Sequence, residues 1–469
     1  MKPGIKLDGK KVLVVGVART GVAAALFCAA HGARVTATDE KTEAELGTVA
    51  GGQSSSAADL RAAGVTLELG GHRAETFLAQ DLIIQSPGVP AEMACFVAAR
   101  GAGVAVWSEV ELAWRFLRGR LIGITGSNGK TTTTALIGHI LASAGLPTLV
   151  GGNIGTPLIS LAEFSTEATL TVAELSSFQL ETIGALRPDI AVWLNLTPDH
   201  LDRHASMQLY GQAKARIFEN QTESDAAILN ADDPETPGYA PGGARVHWFS
   251  RQKRVASGAF VRDDQIVFRQ NGEETVLLRR GDIGLRGEHN VENVLAAAAA
   301  TFLAGASPAA IAEGVRTFAG VEHRLEFVAE IGGAAYYNDS KATNVDATLK
   351  AIDAFEGNLI IILGGKEKGG DFVALREPLH RRAKLALVIG KAAEKISAQI
   401  AGAVPVEAAG TIERAVHIAH EQARPGDVVL LAPACASFDQ FENYEHRGRV
   451  FKELVRALEQ ESPAKEKVS

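Results

Sequence analysis

The sequence predicts an α/β protein of three domains, each built on a mainly parallel β-sheet. A strand, a glycine turn, a helix and a second strand follow one another over residues 11–39, and the same order begins again at Leu121. A third series of apolar strands begins at Leu359. Strands that alternate with helical segments are typical of parallel sheets. We therefore expect a Rossmann-like N-terminal domain (1–119), a central domain with the parallel sheet of a P-loop ATPase (120–320) and a Rossmann-like C-terminal domain (321–469).

Length and composition are those of a soluble globular protein. The 469 residues are enough for about three domains. A formal net charge of −8 without a basic block argues against a nucleic-acid surface. The sequence contains no apolar run long enough to span a bilayer, and the segment after Met1 lacks the apolar core of a signal peptide. We therefore expect a monomer that binds no nucleic acid and inserts into no membrane.

The cysteine pattern indicates the compartment. The three cysteines, Cys28, Cys95 and Cys435, show neither the spacing of a metal site nor an obvious pairing. Unpaired thiols suit a reducing environment. We therefore expect a cytoplasmic protein in which these side chains act as small apolar residues.

The N-terminal pattern predicts a nucleotide site at the edge of the first sheet. Its second strand ends on Asp39, where a Rossmann unit would hold a ribose. The turn from Gly16 to Gly21 lacks the middle glycine of G-x-G-x-x-G, which disfavours NAD and leaves another nucleotide open. Asp39 is equally well explained as a turn residue. A further strand, 81–85, leads into a rigid turn that could present Ser86 to the same crevice, although many plain turns look similar.

The central pattern carries a glycine-rich phosphate loop between an apolar strand and a helix. Glycines let backbone N–H groups converge on phosphate oxygens, and a helix N-terminus adds partial positive charge. The lysine could reach the terminal phosphates and the first threonine could ligate Mg²⁺. The spacing is shorter than G-x-x-x-x-G-K-[ST], and an ordinary turn with a solvated lysine is the alternative. The residues concerned are Gly126, Ser127, Asn128, Gly129, Lys130, Thr131 and Thr132.

Polar side chains follow the next three strands of the central pattern. Asn153, Glu174 and His200 each come shortly after an apolar segment. The carboxyl ends of parallel strands share one edge of a sheet, so these side chains should lie near the phosphate loop. We favour Glu174 as a Mg²⁺ ligand and His200 as a ligand of a second cation, with a solvated loop histidine as the alternative. Zinc is disfavoured because no cysteine set is present.

Two later segments leave their roles open. Asn290 and Asn293 lie three residues apart, on one face of a predicted helix, where they could read an adenine or serve as caps. Lys214, in the helix over 210–218, has the pattern of a residue on a solvated face.

Taken together, these motifs resemble the Mur ligase family of ATP-dependent amide-forming enzymes. The likeness covers almost the whole chain. T-G-S-N-G-K-T-T over 125–132 and H-N-V-E-N over 289–293 are general to the family. N-D-S-K-A-T-N over 338–344 and P-A-C-A-S-F-D-Q-F over 433–441 are more selective, and resemble the members that add D-glutamate. The D-N-P-R signature of members that add a diamino acid does not occur in this sequence.

The resemblance implies ATP and Mg²⁺ as cofactors, and UDP-N-acetylmuramoyl-L-alanine and D-glutamate as substrates. It implies catalytic roles for Lys130, Glu174, His200 and Lys214, and metal ligation by Thr131, Glu174, His200 and Lys214. Beyond the phosphate loop, it implies ATP contacts from Asn290, Asn293, Arg324 and Asp339. It implies substrate contacts from Asp39, Ser86, Asn153, Lys341, Thr343, Lys368, Ser437, Phe438 and Tyr444, although other members often carry Leu and Phe at the last two positions.

The resemblance also implies that Lys214 is carbamylated. An ammonium group beside Mg²⁺ would repel it, whereas a carbamate offers two anionic oxygens. This implication conflicts with the solvated face suggested by the local pattern.

These roles predict a ligase of peptidoglycan precursor synthesis that forms an acyl phosphate and then an amide. One rival is a sister Mur or folylpolyglutamate-type ligase with another amino acid. A rival of a different class is a nucleotide sensor or P-loop transport regulator. The polar clusters over 174–179 and 338–344 argue against the sensor, because a sensor needs no pocket for a second substrate.

Overall fold

The computed structural model describes residues 4–49, 56–367 and 370–461, which form three sheets of five, nine and six strands. The predicted α/β class with three sheet-based parts is confirmed. The described residues group into two compact units, one of Met1–Gly284 with Val291–Phe318 and one of Leu285–Asn290 with Ala319–Ser469. The boundaries predicted near residues 119 and 320 stay predictions. No helix among the described residues has both the length and the apolar character needed to cross a bilayer.

The first sheet is parallel throughout, in the order β3-β2-β1-β4-β5. Its strands are β1 (Lys11–Val15), β2 (Arg34–Asp39), β3 (Thr66–Leu69), β4 (Leu82–Gln85) and β5 (Ala105–Ser108). Its helices are α1 (Arg19–Ala30), α2 (Glu43–Val49), α3 (Ser56–Ala62), α4 (Ala74–Leu78), α5 (Ala94–Gly101) and α6 (Glu109–Phe116). Because β1 lies between β2 and β4, the turn after β1 sits where the strand order reverses, the usual ligand crevice of such sheets.

The second sheet has the order β14-β13-β12-β11-β10-β9-β6-β8-β7. Its strands are β6 (Arg120–Thr125), β7 (Thr148–Gly152), β8 (Leu170–Glu174), β9 (Ile190–Trp193), β10 (Ala226–Asn230), β11 (Arg245–Ser250), β12 (Gly258–Arg262), β13 (Gln265–Gln270) and β14 (Glu273–Arg279). The α-helices associated with it are α7 (Lys130–Ser143), α8 (Ser177–Leu180), α9 (Leu201–His204), α10 (Met207–Ala215), α11 (Glu288–Ala304) and α12 (Pro308–Thr317). Short 3-10 helices cover Leu158–Phe164, Arg216–Phe218, Thr236–Tyr239 and Arg280–Asp282.

Strand order in this sheet positions the phosphate loop. The central strand β6 pairs in parallel with β8 on one side and with β9 on the other. Ile124 is in register with Glu174, and Thr125 is in register with Trp193. Side chains that follow β8 and β9 therefore flank the loop that follows β6.

The third sheet is parallel except for its edge strand, in the order β15-β16-β20-β17-β18-β19. Its strands are β15 (Glu326–Ile331), β16 (Ala334–Asn338), β17 (Leu359–Gly364), β18 (Ala383–Ile389), β19 (Val406–Gly410) and β20 (Val428–Leu431). Its helices are α13 (Val345–Asp353), α14 (Arg376–Arg382), α15 (Ala393–Ile400), α16 (Ile412–Gln422) and α17 (Tyr444–Glu461), with a 3-10 turn over Phe372–Leu375. Apolar helix faces cover both sides of the sheet, which gives it two separate cores.

The first two sheets share a continuous apolar core, which includes Val12, Trp114 and Leu121. A buried carboxylate joins them as well. Glu111 of α6 has no exposed side-chain surface and accepts hydrogen bonds from the backbone N–H groups of residues 184, 185 and 186 at 2.7–3.1 Å. The guanidinium of Arg115 lies 2.6 Å from the same carboxylate. This contact fixes α6 against the loop that precedes β9.

Replacing Glu111 with glutamine is expected to lower the free energy of unfolding by about 3 kcal/mol, because an amide N–H₂ would then face backbone N–H groups that need an acceptor. Urea unfolding at pH 7 measures the loss. The control is Glu163→Gln, at an exposed glutamate of the same compact unit, which should leave the free energy of unfolding within about 0.5 kcal/mol of wild type. Equal free energies of unfolding for wild type and Glu111→Gln would contradict a stabilising role for the hydrogen bonds to Glu111.

Glu109 should make stability depend on pH. Burial raises the pKa of Glu109 from 4.5 to about 7, against hydrogen bonds from the backbone of Ile159 and Leu158. The pKa of Glu109 is higher in the folded than in the unfolded protein. The contribution of the protonated carboxyl to the free energy of unfolding is therefore fully present below pH 4.5 and is lost as the pH rises through about 7. We expect Glu109→Gln to gain roughly 2–3 kcal/mol relative to wild type between pH 5 and pH 8, measured by urea unfolding. A difference that does not change with pH would contradict this.

Candidate active site

The phosphate loop joins β6 to α7 through backbone that glycine alone fits. Gly129 is the N-cap of α7, with φ of 84°. A Cβ atom there would lie 2.3 Å from Oδ1 of Asn293. Because its N-cap is a glycine, α7 has no N-cap side chain that could compete with an anion for its first N–H groups. This geometry is compatible with a phosphate site, and the role of the loop stays a prediction.

Two lysines converge on one carbonyl of the loop. Nζ of Lys130 donates to the carbonyls of Gly126 and Ser127 at 2.8 and 2.9 Å. Nζ of Lys214 donates to the same Gly126 carbonyl at 2.8 Å. The structure thus brings together two side chains that are 84 positions apart in the sequence, and both amines stand beside the loop.

Lys214 is buried, so the solvated-face interpretation is wrong. Its exposed fraction is 1%, and its Nζ lies 4.4 Å from the centre of the Tyr210 ring. Burial, and then the positive charge of Lys130, lower the pKa of Lys214 well below its ordinary value, while Asp199 and Glu174 act in the opposite direction. A helix pattern alone could not reveal this, because the covering residues come from other parts of the chain.

Glu174 connects the phosphate loop to the strand beside it. Its Oε2 accepts a hydrogen bond from the Thr131 hydroxyl at 2.9 Å, and its Oε1 accepts one from the Asn153 amide at 2.8 Å. The Thr132 hydroxyl is buried and has no hydrogen-bond partner among the described residues, which suits contact with a bound phosphate. A carboxylate and a hydroxyl are the hard oxygen ligands that Mg²⁺ prefers, so Thr131 and Glu174 fit the predicted metal.

Asn195 supports the loop from the other side and was missed as a functional residue. Its Oδ1 accepts from the backbone N–H of Asn128 at 2.8 Å, and its Nδ2 donates to the Asn128 carbonyl at 3.1 Å. Ser127 makes a similar pair of contacts with the backbone of Thr197, each at 3.0 Å. The available signal was an amide directly after a buried strand.

His200 lies on the segment between β9 and α9. Its Nε2 is 3.6 Å from Asp199, and its ring packs edge to face against Phe178 with centroids 5.0 Å apart. The side chain is 40% exposed. It is therefore held by neighbours, yet one part of the imidazole stays open to solvent, as a ligand to a second cation requires.

At the edge of the first sheet, Asp39 and Ser86 converge on the turn after β1. Asp39 accepts from the backbone N–H groups of Val17 and Lys41 at 2.7 and 3.0 Å. The Ser86 hydroxyl donates to the Gly16 carbonyl at 2.8 Å. Both predicted sugar-nucleotide residues thus shape the same turn at the point where the strand order reverses.

Asn290 and Asn293 differ in their contacts although they share a helix. The amide of Asn290 donates to the Arg286 carbonyl at 2.6 Å, just before the start of α11, which is a local contact of the capping kind. Oδ1 of Asn293 accepts from the Thr133 hydroxyl of α7 at 3.2 Å. Asn293 is thereby placed beside the phosphate loop, as its predicted role in ATP binding requires.

In the second compact unit, polar residues gather after β16. Burial raises the pKa of Asp339 to about 6, while the charges of Arg324 and Lys341 and a hydrogen bond from the Leu325 backbone lower it. Nζ of Lys341 lies 5.2 Å from the ring centre of Tyr444. These predicted ATP and substrate residues therefore occupy one neighbourhood.

The remaining predicted substrate residues lie on two loops. Ser437 is buried, whereas Phe438 is 65% exposed, which leaves its ring accessible to a ligand. The backbone N–H of Thr343 donates to the Lys341 carbonyl at 2.8 Å in the tight turn before α13. Lys368 lies outside the described residues.

Arg447 was missed by sequence reasoning and holds these loops in place. It is completely buried, and it donates to the hydroxyl and carbonyl of Ser340 at 2.9 and 2.8 Å and to the Cys435 carbonyl at 3.2 Å. An arginine near the start of a long helix carries no sequence signal for such a role.

Fold and site are typical of α/β nucleotide-binding enzymes with a glycine-rich loop between a strand and a helix. Family models match most of the chain: the Mur ligase MurD-like N-terminal domain over 10–108, the Mur ligase middle domain over 124–301 and the Mur ligase glutamate ligase domain over 323–435. The chain belongs to the Mur ligase family.

Similar proteins extend over nearly its whole length. The chain is 53% identical to the UDP-N-acetylmuramoylalanine--D-glutamate ligase of Acidobacterium capsulatum, over 97% of each chain. It is 52% identical to the protein of the same name from Koribacter versatilis, over 96% of this chain and 98% of the relative. Among solved structures, MurF ligase from Thermotoga maritima in complex with ADP matches with a TM-score of 0.60 at 17% identity, over 97% of this chain and 96% of that one. The last likeness concerns the fold.

Proposed function

We propose that the protein joins D-glutamate to UDP-N-acetylmuramoyl-L-alanine and converts ATP to ADP and phosphate, in the synthesis of peptidoglycan precursors. The observation that carries the choice of substrates is the identity of 52–53% to ligases with this printed name over 96–97% of the chain. The three free cysteines, of which two are buried, support a reducing cytoplasm as the place of the reaction.

The reaction needs charge neutralisation and alignment more than a protein nucleophile. The terminal carboxylate of the sugar nucleotide takes the γ-phosphoryl group of ATP to form an acyl phosphate. The amine of D-glutamate then attacks the acyl carbon, and phosphate leaves. In both steps negative charge develops on phosphate oxygens beside the phosphate loop. Lys130 and the N–H groups at the start of α7 would stabilise this charge.

Thr131 and Glu174 would hold Mg²⁺ at the phosphates, and His200 with Lys214 would hold a second ion. Bound there, magnesium neutralises the developing charge on phosphate oxygens. The Asn153 amide fixes one oxygen of Glu174 and so orients this carboxylate.

Carbamylation turns Lys214 from a cation into a metal ligand. Its neutral amine attacks CO₂, a C–N bond forms, and one proton leaves to solvent, which yields an anionic carbamate. The buried position favours the neutral amine needed for this step. The loss of a positive charge also relieves the repulsion between Lys214 and Lys130.

Each compact unit carries some of the residues that we assign to the substrates. Asp39, Ser86 and Asn153 would bind the sugar nucleotide. In the second unit, Arg324 and Asp339 would contact ATP, together with Asn290. The amino-acid contacts would be Lys341, Thr343, Lys368, Ser437, Phe438 and Tyr444.

The decisive experiment is a panel of amino acids tested for phosphate release with ATP, Mg²⁺ and UDP-N-acetylmuramoyl-L-alanine. D-glutamate should give the fastest release, and omission of either the acceptor or the amino acid should return the rate to background. A different preferred amino acid would favour the sister ligase. Phosphate release that is unaffected by both substrates would contradict the ligase and favour the sensor.

A further inference from the structure

Arg203 lies between two loops that the proposed function uses. It belongs to α9, a four-residue helix bounded by His200 and Ala205. Both of these residues have φ of 52°, in the left-handed region that non-glycine residues seldom occupy. A helix this short, between two such residues, depends on side-chain contacts for its position.

One guanidinium group reaches across to the turn of the first sheet. It donates to the Glu181 carboxylate at 2.7 Å and to the Val89 carbonyl at 3.2 Å, and lies 3.5 Å from the Pro87 carbonyl. Pro87 and Val89 belong to the turn that Ser86 begins, which is closed by a hydrogen bond from the Val89 N–H to the Ser86 carbonyl at 3.0 Å. Arg203 therefore ties this turn to α8 and α9.

The guanidinium of Arg203 also packs against the aromatic ring of Phe178, which contacts His200. It lies 4.6 Å from the centre of the Phe178 ring. That ring contacts His200 edge to face at 5.0 Å and stacks on His204 at 5.5 Å. Nδ1 of His204 is in turn 3.6 Å from Glu181. A shift of Arg203 would therefore move the neighbours that hold His200.

We propose that Arg203 is a positioning residue, which couples the turn over residues 86–89 to the His200 segment and so sets the sugar nucleotide's reacting carboxylate against the phosphate loop. The identity of the sugar nucleotide rests on the proposed function. A planar guanidinium suits this task because its fork of donors serves several acceptors at once, and a lysine ammonium does not replace it. Misplacing reacting groups by 1 Å can reduce a rate about 10²-fold.

The test compares steady-state kinetics of Arg203→Gln and wild type with both ATP and the sugar nucleotide varied. We expect kcat/KM for the sugar nucleotide to fall about 10²-fold, through a higher KM because the turn over residues 86–89 is displaced and a lower kcat because the reacting carboxylate loses its alignment. The KM for ATP should stay within about twofold. The kcat/KM of Arg203→Lys should lie between those of wild type and Arg203→Gln, because a lysine keeps the attraction to Glu181 but loses the hydrogen bond to the Val89 carbonyl.

The matched control is Arg216→Gln. Arg216 also contacts the segment after α8, through the carbonyls of Glu181 and Ile183, but within the part of the chain that the structure describes it makes no hydrogen bond to the turn over residues 86–89. We expect its KM for the sugar nucleotide to stay within about twofold of wild type. If Arg203 were only structural, both variants would lower the melting temperature and neither would change one KM selectively.

Hydrogen exchange provides a readout that needs no substrate. In Arg203→Gln, the amides of Ser86, Gly88 and Val89 and of residues 199–204 should exchange faster than in wild type and in Arg216→Gln. Active wild type combined with an unchanged KM and unchanged exchange in Arg203→Gln would overturn the inference and leave the proposed function intact. If wild type is inactive, the proposed function fails, but hydrogen exchange still tests whether Arg203 connects the two loops. Equal exchange in wild type, Arg203→Gln and Arg216→Gln would then overturn the inference about Arg203.

Discussion

Replacing Lys130 with alanine is expected to lower turnover by about 10²- to 10³-fold, the usual effect of removing one well-placed donor to a transition state. The ammonium group already stands at the loop, held by the carbonyls of Gly126 and Ser127 at 2.8 and 2.9 Å. It needs only to exchange these carbonyls for phosphate oxygens. Phosphate release under saturating substrates measures the loss, and circular dichroism checks that the fold is retained.

The control for this change is Lys253→Ala. Lys253 is an exposed lysine on a loop far along the sequence from the phosphate loop. We expect its turnover to match wild type, since an isolated surface charge contributes little. Near-normal turnover in Lys130→Ala would refute the phosphate-loop role, whatever the control shows.

Replacing Lys214 with alanine is expected to abolish measurable turnover, and small carboxylic acids such as acetate should restore part of it. The variant loses the carbamate that would ligate the metal, and leaves room in a buried position for a carboxylate of similar charge. The measurement is phosphate release over a series of acetate concentrations. Near-normal turnover of Lys214→Ala without added acetate would contradict the proposal that Lys214 is carbamylated.

Two controls separate rescue from a general effect of the acid. Acetate should not restore Lys130→Ala, because a carboxylate cannot replace an ammonium group at the phosphates. Wild type supplied with isotopically labelled bicarbonate should show a carbamate signal by NMR, which Lys214→Ala should lack. The absence of this signal in active wild type would contradict carbamylation.

The phosphate loop and its neighbours could be predicted because their signals are local. Apolar runs followed by glycine, amide, carboxylate or histidine are visible in the sequence, and the carboxyl-edge rule groups them without knowledge of the strand order. The contact of Glu174 with Thr131 and Asn153 agrees with that rule. The role of Asn195 was missed because an amide after a strand is equally common in plain turns.

The sequence by itself determined the α/β class, the alternation of strands with helices and the glycine-rich loop before Lys130, since each depends on residues that are close together in the chain. Only the tertiary structure decided the rest. The burial of Lys214 against the Gly126 carbonyl, the shared core of the first two sheets and the reach of Arg203 to Val89 all join segments far apart in sequence. Such contacts depend on strand order and on the packing of whole elements, which no local pattern of residues records.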